Sequence, residues 1–422
     1  MENRKVLRFF GNWLRAALSL GLLGSAVASG TAASAQTLVL RGGSVYASPD
    51  AAPDAAPLPD AVVVVSGGVI SAVGSASDVQ IPPDARVIDC AGKTVVAGFW
   101  NSHVHFTEAV WTSAANGPAA PLTAHMQEML TRWGFTTVWD LGSNPADALP
   151  LRRRVNAGEV LGPDIFLLGS IFPKDGHPAY LPAEMKLPEI ADPDVSAQLA
   201  RSYLGMGLDG MKLYTGAYKG EDKPVVNMDV AVAKAAVDVA HAQAKPVFAH
   251  PQNKAGVDTV IAAGVDVMAH TTPSPGFIQY TSEQLARFKS QGTALIPTLS
   301  LFTTVVLDPN VTARIIDATV NQLRQFSENG GAVLFGTDIG FIKIYDTTLE
   351  YELMHRALSE RQALATLTTT PAQYFKAVKK GRVERGFDGD LVVLDGDPMA
   401  DVRNLAKVAY TIRAGQIIYQ KP

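Results

Sequence analysis

The middle of the 422-residue chain alternates between short, uninterrupted apolar runs and longer segments with apolar residues at helical spacing. Apolar strands that alternate with helices are typical of a parallel sheet covered by helices. With Val95–Val104 as the first, eight runs have this character, and eight parallel strands close a barrel. We therefore predict an α/β fold, a (β/α)8 TIM-type barrel, over residues 98–375. The other seven runs are Thr136–Leu141, Asp164–Gly169, Gly210–Tyr214, Pro246–His250, Asp266–His270, Ala294–Thr298 and Ala332–Thr337.

The two ends of the chain have a different character. Residues 36–97 contain short β-rich runs separated by glycine and proline pairs, and residues 376–422 return to this style. The two ends therefore predict a small β-sandwich, formed jointly by the N- and C-terminal segments beside the barrel.

The first 35 residues have the pattern of a secretory signal peptide. Four basic residues precede an uncharged stretch, Ala16–Ala35, that ends in small residues at Ala33 and Ala35. Because the apolar part is short and rich in Gly, Ser and Ala, a membrane-spanning helix is the weaker alternative. We expect cleavage after Ala35, a periplasmic or secreted mature protein, and no membrane span after cleavage.

Charge and cysteine content narrow the possible partners. The formal net charge of −4, without a long run of either sign, gives no indication of nucleic-acid binding. Cys90 is the only cysteine, so an exported chain forms no internal disulfide and depends on its apolar core.

Polar residues follow the predicted strands at their carboxyl ends, where barrel active sites are built. His103 and His105 end the first strand, and residues i and i+2 of a strand point to the same side, so both imidazoles can face one ion. His250 and His270 end two neighbouring strands, and Asp338 follows the last one. A carboxylate after an apolar run is costly to bury unless a cation or a donor meets it. These five residues therefore predict a metal site.

Lys212 lies within the otherwise apolar strand Gly210–Tyr214. An unpaired ammonium inside a barrel is disfavoured, so its pKa should fall and the neutral amine become available. A neutral amine can add carbon dioxide, and the resulting carbamate can bridge two ions. The alternative is a lysine whose head group reaches solvent along the barrel.

These motifs together resemble the amidohydrolase superfamily, and most closely its imidazolonepropionase-related and prolidase-like branch. The resemblance covers nearly all of the predicted mature chain. The matching segments are Val87–Lys93 leading into Gly98–His105, then Asp209–Lys212, Ala249-His250, Met268–His270, Gly336–Asp338 and the closing run Gly386–Leu394.

The resemblance implies a role for each residue of the site. His103, His105 and Asp338 are expected to hold the more buried of two divalent ions, and His250 and His270 the more exposed one. Carboxylated Lys212 is expected to bridge them. Imidazole and carboxylate ligands suit zinc, although manganese, cobalt and iron remain open. A hydroxide between the ions would attack a carbonyl group, and Asp338 would carry the proton to the leaving amine.

Two further residues, His177 and Tyr218, are candidate substrate contacts because they lie in loops on the active face. His177 follows the third barrel strand, and a structural role for it is as plausible as contact with substrate. Tyr218, like Tyr214, follows Lys212, and its phenol could donate to a substrate carbonyl or carboxylate. His125, His241 and His355 lie in helical patterns and are expected to be structural or solvated.

Three classes of function compete: amide hydrolysis, deamination or ring opening on the same scaffold, and non-enzymatic binding. Hydrolysis of amide bonds in dipeptides or N-acyl amino acids is favoured, and opening of a lactone or cyclic amide on the same scaffold is the alternative. A deaminase is opposed because Pro251-Gln252-Asn253 supplies no acid after His250 and because Lys212 is present. A non-enzymatic binding protein is opposed because every ligand position is filled. The small-molecule substrate and assembly into homo-oligomers are left open by the sequence.

Overall fold

A computed structural model describes residues 37–49, 56–220, 223–305 and 308–422. The predicted signal peptide, residues 1–35, lies outside the described residues, so its cleavage stays a prediction. Within the described part of the chain, no helix combines the length and the apolar character needed to cross a bilayer.

Both ends of the described chain contribute to one eight-stranded sheet. Its strands are β1 (Leu38–Val45), β2 (Leu58–Ser66), β3 (Val69–Ser75), β4 (Arg86–Asp89), β5 (Thr94–Ala97), β16 (Leu391–Leu394), β17 (Val408–Arg413) and β18 (Gln416–Gln420). Their order is β18-β17-β16-β5-β1-β2-β3, with β4 pairing β1. β16 joins the C-terminal strands to the N-terminal ones because it pairs antiparallel with β5, where Leu391 lies opposite Ala97.

The middle of the chain forms a nearly closed parallel barrel, as predicted. Its seven strands are β6 (Phe99–Val104), β7 (Phe135–Asp140), β8 (Asp164–Pro173), β10 (Gly210–Leu213), β13 (Val247–Ala249), β14 (Val267–Ala269) and β15 (Ala294–Ile296). They run in the order β15-β14-β13-β10-β8-β7-β6. The short β9 (Glu189–Ile190) pairs parallel with the end of β8. A separate two-stranded ribbon consists of β11 (Gly216–Ala217) and β12 (Val226–Asn227).

The eighth barrel position is irregular, although a strand is predicted there over Ala332–Thr337. Single bridges join Val333 to Leu295 on one side and Ile339 to Val104 on the other. The regular ladder is interrupted because the Phe335 amide donates to Thr366 O, outside the barrel sheet. This segment still occupies the gap between β15 and β6, so its end lies beside the end of β6.

The predicted first strand, Val95–Val104, is two strands separated by Gly98. The Gly98 amide donates to Asp390 O in the terminal sheet, and a side chain at Gly98 would place a Cβ 2.2 Å from Thr136 Oγ1. The segment before Gly98 therefore belongs to the terminal sheet as β5, and the segment after it begins the barrel as β6. The proposed domain limits, 36–97, 98–375 and 376–422, stay predictions.

Helices follow the barrel strands, and polar side chains begin most of them. Asn144, Asp192 and Asp229 accept hydrogen bonds from the first free amides of the helices that begin one residue later, as helix N-termini require. The helices are α1 (Ala119–Met129), α2 (Pro145–Asn156), α3 (Pro193–Gly205), α4 (Val230–His241), α5 (Lys254–Ala263), α6 (Ser282–Gln291), α7 (Phe302–Val305), α8 (Pro309–Glu328), α9 (Thr348–His355), α10 (Glu360–Leu367) and α11 (Thr369–Tyr374).

Aromatic side chains fill part of the barrel interior. The Trp139 ring centroid lies 4.6 Å from those of Phe166 and Phe375 and 5.2 Å from that of Phe248. Phe248 is also the register partner of Lys212 on the neighbouring strand. The polar residues at the strand ends therefore lie next to a packed, apolar layer rather than an open channel.

Candidate metal centre

His103 and His105 lie at the end of β6 and converge as their spacing predicts. Their Nε2 atoms are 3.3 Å apart, and both residues are buried. The fully buried Asn101 positions the first of them, because its side-chain oxygen accepts the His103 amide at 3.1 Å. The two imidazoles thus present nitrogen ligands to one point at the barrel mouth.

Asp338 closes this point from the last barrel position. Its Oδ1 lies 3.2 Å from His103 Nε2 and 3.1 Å from His105 Nε2, while its Oδ2 lies 3.5 Å from His270 Nε2. The following loop can approach this closely because Gly340, at φ +97°, has no Cβ, which would otherwise lie 1.8 Å from His105 O. The two carboxylate oxygens therefore face different histidines.

His270 and His250 extend the cluster outward. The His270 ring centroid lies 4.7 Å from that of His103 and 5.2 Å from that of His250. The Nε2 of His250 hydrogen-bonds to Gln252 Oε1 at 2.8 Å, and its ring stacks on Tyr214 at 5.2 Å. His250 is therefore next to the cluster, but its Nε2 is hydrogen-bonded to the side chain of Gln252.

Lys212 is almost completely buried between β8 and β13, where its register partners are Ser170 and Phe248. Its Nζ lies 5.6 Å from the centroid of the Tyr214 ring. Burial lowers the pKa of the Lys212 amine to about 8, partly opposed by the Asp338 carboxylate. The neutral amine is consequently much more accessible than for a lysine in water.

Burial sets the charge state of the imidazoles. It lowers the pKa of His103 to about 3 and that of His250 to about 4, and it takes the pKa of His270 well below its ordinary value. Burial alone would raise the pKa of Asp338, but the surrounding histidines hold it well below the usual range. Neutral imidazole and ionised carboxylate are the forms that bind divalent metal ions.

Unpartnered buried atoms and the spacing of the possible ligands show whether a metal ion fits this cluster. Among the described residues, His103 Nδ1 and Asp338 Oδ1 have no hydrogen-bond partner, which is costly for buried polar atoms. Ligand atoms of His103, His105 and Asp338 all lie within 4.8 Å of one another, a spacing that suits one cation. The donor set and the unpartnered carboxylate oxygen both fit a divalent ion.

The predicted substrate contacts are less closely connected to this cluster. His177 Nε2 lies 3.4 Å from Leu181 O, and its Nδ1 lies 3.9 Å from Glu189 Oε1, so the ring contacts its own loop. Tyr218 is partly exposed, and its carbonyl accepts the Ala179 amide at 2.8 Å. Contact of His177 and Tyr218 with substrate stays a prediction.

Sequence reasoning missed two polar neighbours of the ligands. Asp140, at the end of β7, lies 3.9 Å from His105 Nδ1 and accepts the Ser143 hydroxyl at 2.7 Å. Thr298 hydrogen-bonds through its hydroxyl to His270 Nδ1. Asp140 carried the same signal as Asp338, a carboxylate after an apolar run. Thr298 carried none, since a threonine at a strand end is ordinary.

Comparison with known proteins agrees with this geometry. The profile of the Amidohydrolase family matches residues 94–418. A curated relative, the N-substituted formamide deformylase of Arthrobacter pascens, is 40% identical over 70 residues. That match covers 16% of this chain and only 13% of the deformylase.

Solved structures resemble the chain over almost its full length. A crystal structure of a candidate prolidase from Bifidobacterium longum has a TM-score of 0.76 at 25% identity and covers 92% of this chain and 95% of its own. A Xaa-Pro dipeptidase with methionine bound in its active site has a TM-score of 0.75 at 22% identity, covering 92% and 100%. The family match spans most of the chain, and its metal-dependent chemistry agrees with the His–His–Asp cluster at the strand ends. The chain therefore belongs to the amidohydrolase family and is a hydrolytic enzyme.

Proposed function

We propose that the protein is an exported amidohydrolase with two divalent metal ions, which hydrolyses amide bonds of dipeptides or N-acyl amino acids. The main supporting observation is the convergence of His103, His105 and His270 on the two oxygens of Asp338. One oxygen faces the first two histidines and the other faces the third, an arrangement that suits one ion on each side.

Lys212 is the proposed link between the two ions. It is buried beside the cluster, and its amine has a lowered pKa, so the neutral form can react with carbon dioxide. The new N–C bond gives a carbamate with two oxygen ligands, and the displaced proton leaves to solvent. This adds a second negative charge beside the Asp338 carboxylate, which offsets part of the positive charge of two dications.

Bound divalent ions supply a polarised substrate carbonyl and a water molecule whose pKa is lowered towards neutrality. Asp338 takes the proton of the attacking water and transfers it to the nitrogen of the leaving amine as the C–N bond breaks. The products are a carboxylic acid and an amine. The buried, ionised carboxylate of Asp338 suits the first half of this proton transfer because it begins without a proton.

Aromatic loop residues support a substrate with an apolar side group. Tyr180 and Phe341 pack edge to face at 5.0 Å, and Phe172 stacks on Tyr214 at 4.0 Å. Tyr180 and Phe341 come from the loops after β8 and after the irregular eighth position, both on the active face. His177 and Tyr218 are proposed to contact the polar end of the substrate.

A substrate screen with metal analysis tests this proposal. Purified protein would be assayed on dipeptides, N-acyl amino acids and lactones, with metal content measured on the same sample. We expect amide hydrolysis, about two divalent ions per chain, zinc among them, and loss of both activity and one ion in Lys212→Ala. The control is Lys254→Ala, because Lys254 is exposed and forms an ion pair with nearby Asp258. Hydrolysis that survives chelation and Lys212→Ala would overturn the two-ion mechanism, and turnover of lactones alone would favour the alternative substrate class.

Export has its own test. N-terminal sequencing of the protein from the cell envelope or the medium should begin at Gln36. Replacing Ala33 and Ala35 by arginine should block processing, while the same change at exposed Lys254 should not. A chain that keeps Met1 and stays in the cytoplasm would contradict this part of the proposal.

A further inference from the structure

Glu350, in α9, is a completely buried carboxylate outside the ligand set. Its Oε1 accepts the backbone amide of Leu299 at 2.8 Å, and its Oε2 accepts that of Ser300 at 2.7 Å. Both amides lie just after β15, in a short 3-10 turn, Leu299–Leu301. One buried side chain on α9 therefore fixes the backbone that follows this barrel strand.

The residue before that turn is Thr298, which touches the metal centre. Its backbone is left-handed, with φ 44° and ψ 55°, a conformation that a β-branched residue rarely adopts without outside support. Its hydroxyl hydrogen-bonds to Nδ1 of His270, whose Nε2 faces Asp338. The Glu350 carboxylate holds the two amides that follow Thr298, so it supports the unusual conformation from which the hydroxyl reaches the imidazole.

We propose that Glu350 is a positioning residue, which acts through the Leu299–Ser300 turn and Thr298 to orient His270 for the more exposed metal ion. This rests on the proposed function, in which His270 is a ligand. Residues that hydrogen-bond to the free nitrogen of a metal-binding histidine fix its ring orientation and tautomer. Here Thr298 is that direct partner, and Glu350 fixes Thr298.

The need for a charged group distinguishes Glu350 from an ordinary buried anchor. Nearby, the neutral amide of Gln322 accepts the Thr272 amide at 2.7 Å, so one amide donor needs only one neutral acceptor. Glu350 faces two consecutive donors, and only a carboxylate offers both of them an acceptor oxygen. A glutamine there would satisfy one donor and turn its own NH2 group towards the other. Burial also raises the pKa of Glu350 to about 7, and the hydrogen bonds from the Ser300 and Leu299 amides partly oppose this rise.

Glu350→Gln and Thr298→Val test this proposal at nearly constant side-chain volume. The first removes one acceptor oxygen from the Leu299–Ser300 amides, and the second removes the hydroxyl that bonds to His270. Thr298→Ser, which keeps the hydroxyl, is the conservative rescue. Asp266→Asn is the matched control, since its carboxylate accepts the Val247 amide at 2.7 Å, away from the ligand-bearing strand ends. The measurements are zinc affinity by competition with a chelator, the visible spectrum of the cobalt-substituted protein, and circular dichroism with a melting curve of the metal-free protein.

Both test variants should bind one ion with unchanged affinity and the second about 10- to 100-fold more weakly, with an altered cobalt spectrum. Thr298→Ser and Asp266→Asn should behave as wild type in metal binding. Equal loss of both ions, or wild-type binding of both by a folded Glu350→Gln protein, would overturn the proposal. If Glu350→Gln does not fold, Thr298→Val decides by the same criteria. A wild-type protein with one ion, or a His270→Ala protein with unchanged affinity, would instead show that the proposed two-ion site is wrong.

Discussion

The candidate metal centre has an inner half, formed by His103, His105 and Asp338, and an outer half, formed by His250, His270 and Lys212. The two halves differ in how closely their side chains already approach a metal-binding arrangement. In the inner half, His103, His105 and Asp338 already lie within contact distance of one another, and the Asp338 Oδ1 has no hydrogen-bond partner among the described residues. In the outer half, His250 hydrogen-bonds to Gln252, and Lys212 faces the Tyr214 ring. In the proposed two-ion site, the inner ligands are therefore preorganised by the barrel. Of the outer ligands, His250 would have to release Gln252 and Lys212 would have to form a carbamate before they bind.

The largest expected effect comes from Asp338, which serves both halves. Asp338→Asn keeps the size of the side chain but removes its charge and its capacity to accept a proton. We expect kcat for amide hydrolysis to fall by about 1,000-fold, within the range typical of losing a general acid–base. The exposed Asp317, replaced by asparagine, is the control. A loss of less than about tenfold would show that Asp338 is not the proton carrier.

The next effect compares a histidine from each half. His103→Ala should weaken binding of the inner ion by more than about 100-fold, because it removes a preorganised ligand. His250→Ala should weaken the outer ion by roughly 10-fold, because the wild-type imidazole first has to give up its Gln252 hydrogen bond. Isothermal titration of the metal-free proteins measures both affinities. Equal losses in the two variants would remove the proposed difference between the halves.

Metal removal should affect stability less than activity. The chelated, metal-free protein should have a free energy of unfolding about 3 kcal/mol lower than the protein held at a free metal concentration 100-fold above Kd, as ligand linkage requires. Far-UV circular dichroism should be unchanged before melting, since the inner ligands are held by barrel hydrogen bonds without an ion. Loss of helical signal on chelation would show that the ion, rather than the fold, organises the strand ends.

The smallest expected effect is a gain rather than a loss of affinity for the outer ion. Gln252→Gly removes the competing acceptor from His250, and glycine tolerates the positive φ of 58° found at this position. Outer-ion affinity should rise by about 2- to 10-fold, the equivalent of one ordinary hydrogen bond. Glu189→Gln is the control, because its carboxylate lies near His177, a histidine outside the ligand set. Unchanged affinity would mean that the His250–Gln252 contact does not oppose metal binding.

Particular residues show how far sequence patterns reach. The position of His103, His105, His250 and His270 at strand ends followed from local apolar runs, and the barrel brings these histidines together as expected. The sequence placed the domain limit between residues 97 and 98 but treated Val95–Val104 as one barrel strand. The structure divides this segment at Gly98, because its first part, β5, pairs with β1 and β16 of the terminal sheet. The irregularity of the segment at 332–339 was also missed, because a run of apolar residues does not show where each backbone group bonds. The Phe335 carbonyl accepts the Ser102 amide of β6, but the Phe335 amide donates to Thr366 O in a helix.

The sequence by itself determined the family, the barrel and the residue types that can hold metal ions, because periodicity and strand-end motifs are local properties of the chain. The tertiary structure decided which atoms meet. It brought the two oxygens of Asp338 to opposite groups of histidines, placed Gln252 on His250, and connected Glu350 to His270 through Thr298. Apart from the local His250–Gln252 contact, these contacts join residues from separate barrel units. Their partners are set by the register and closure of the barrel, which no local pattern encodes.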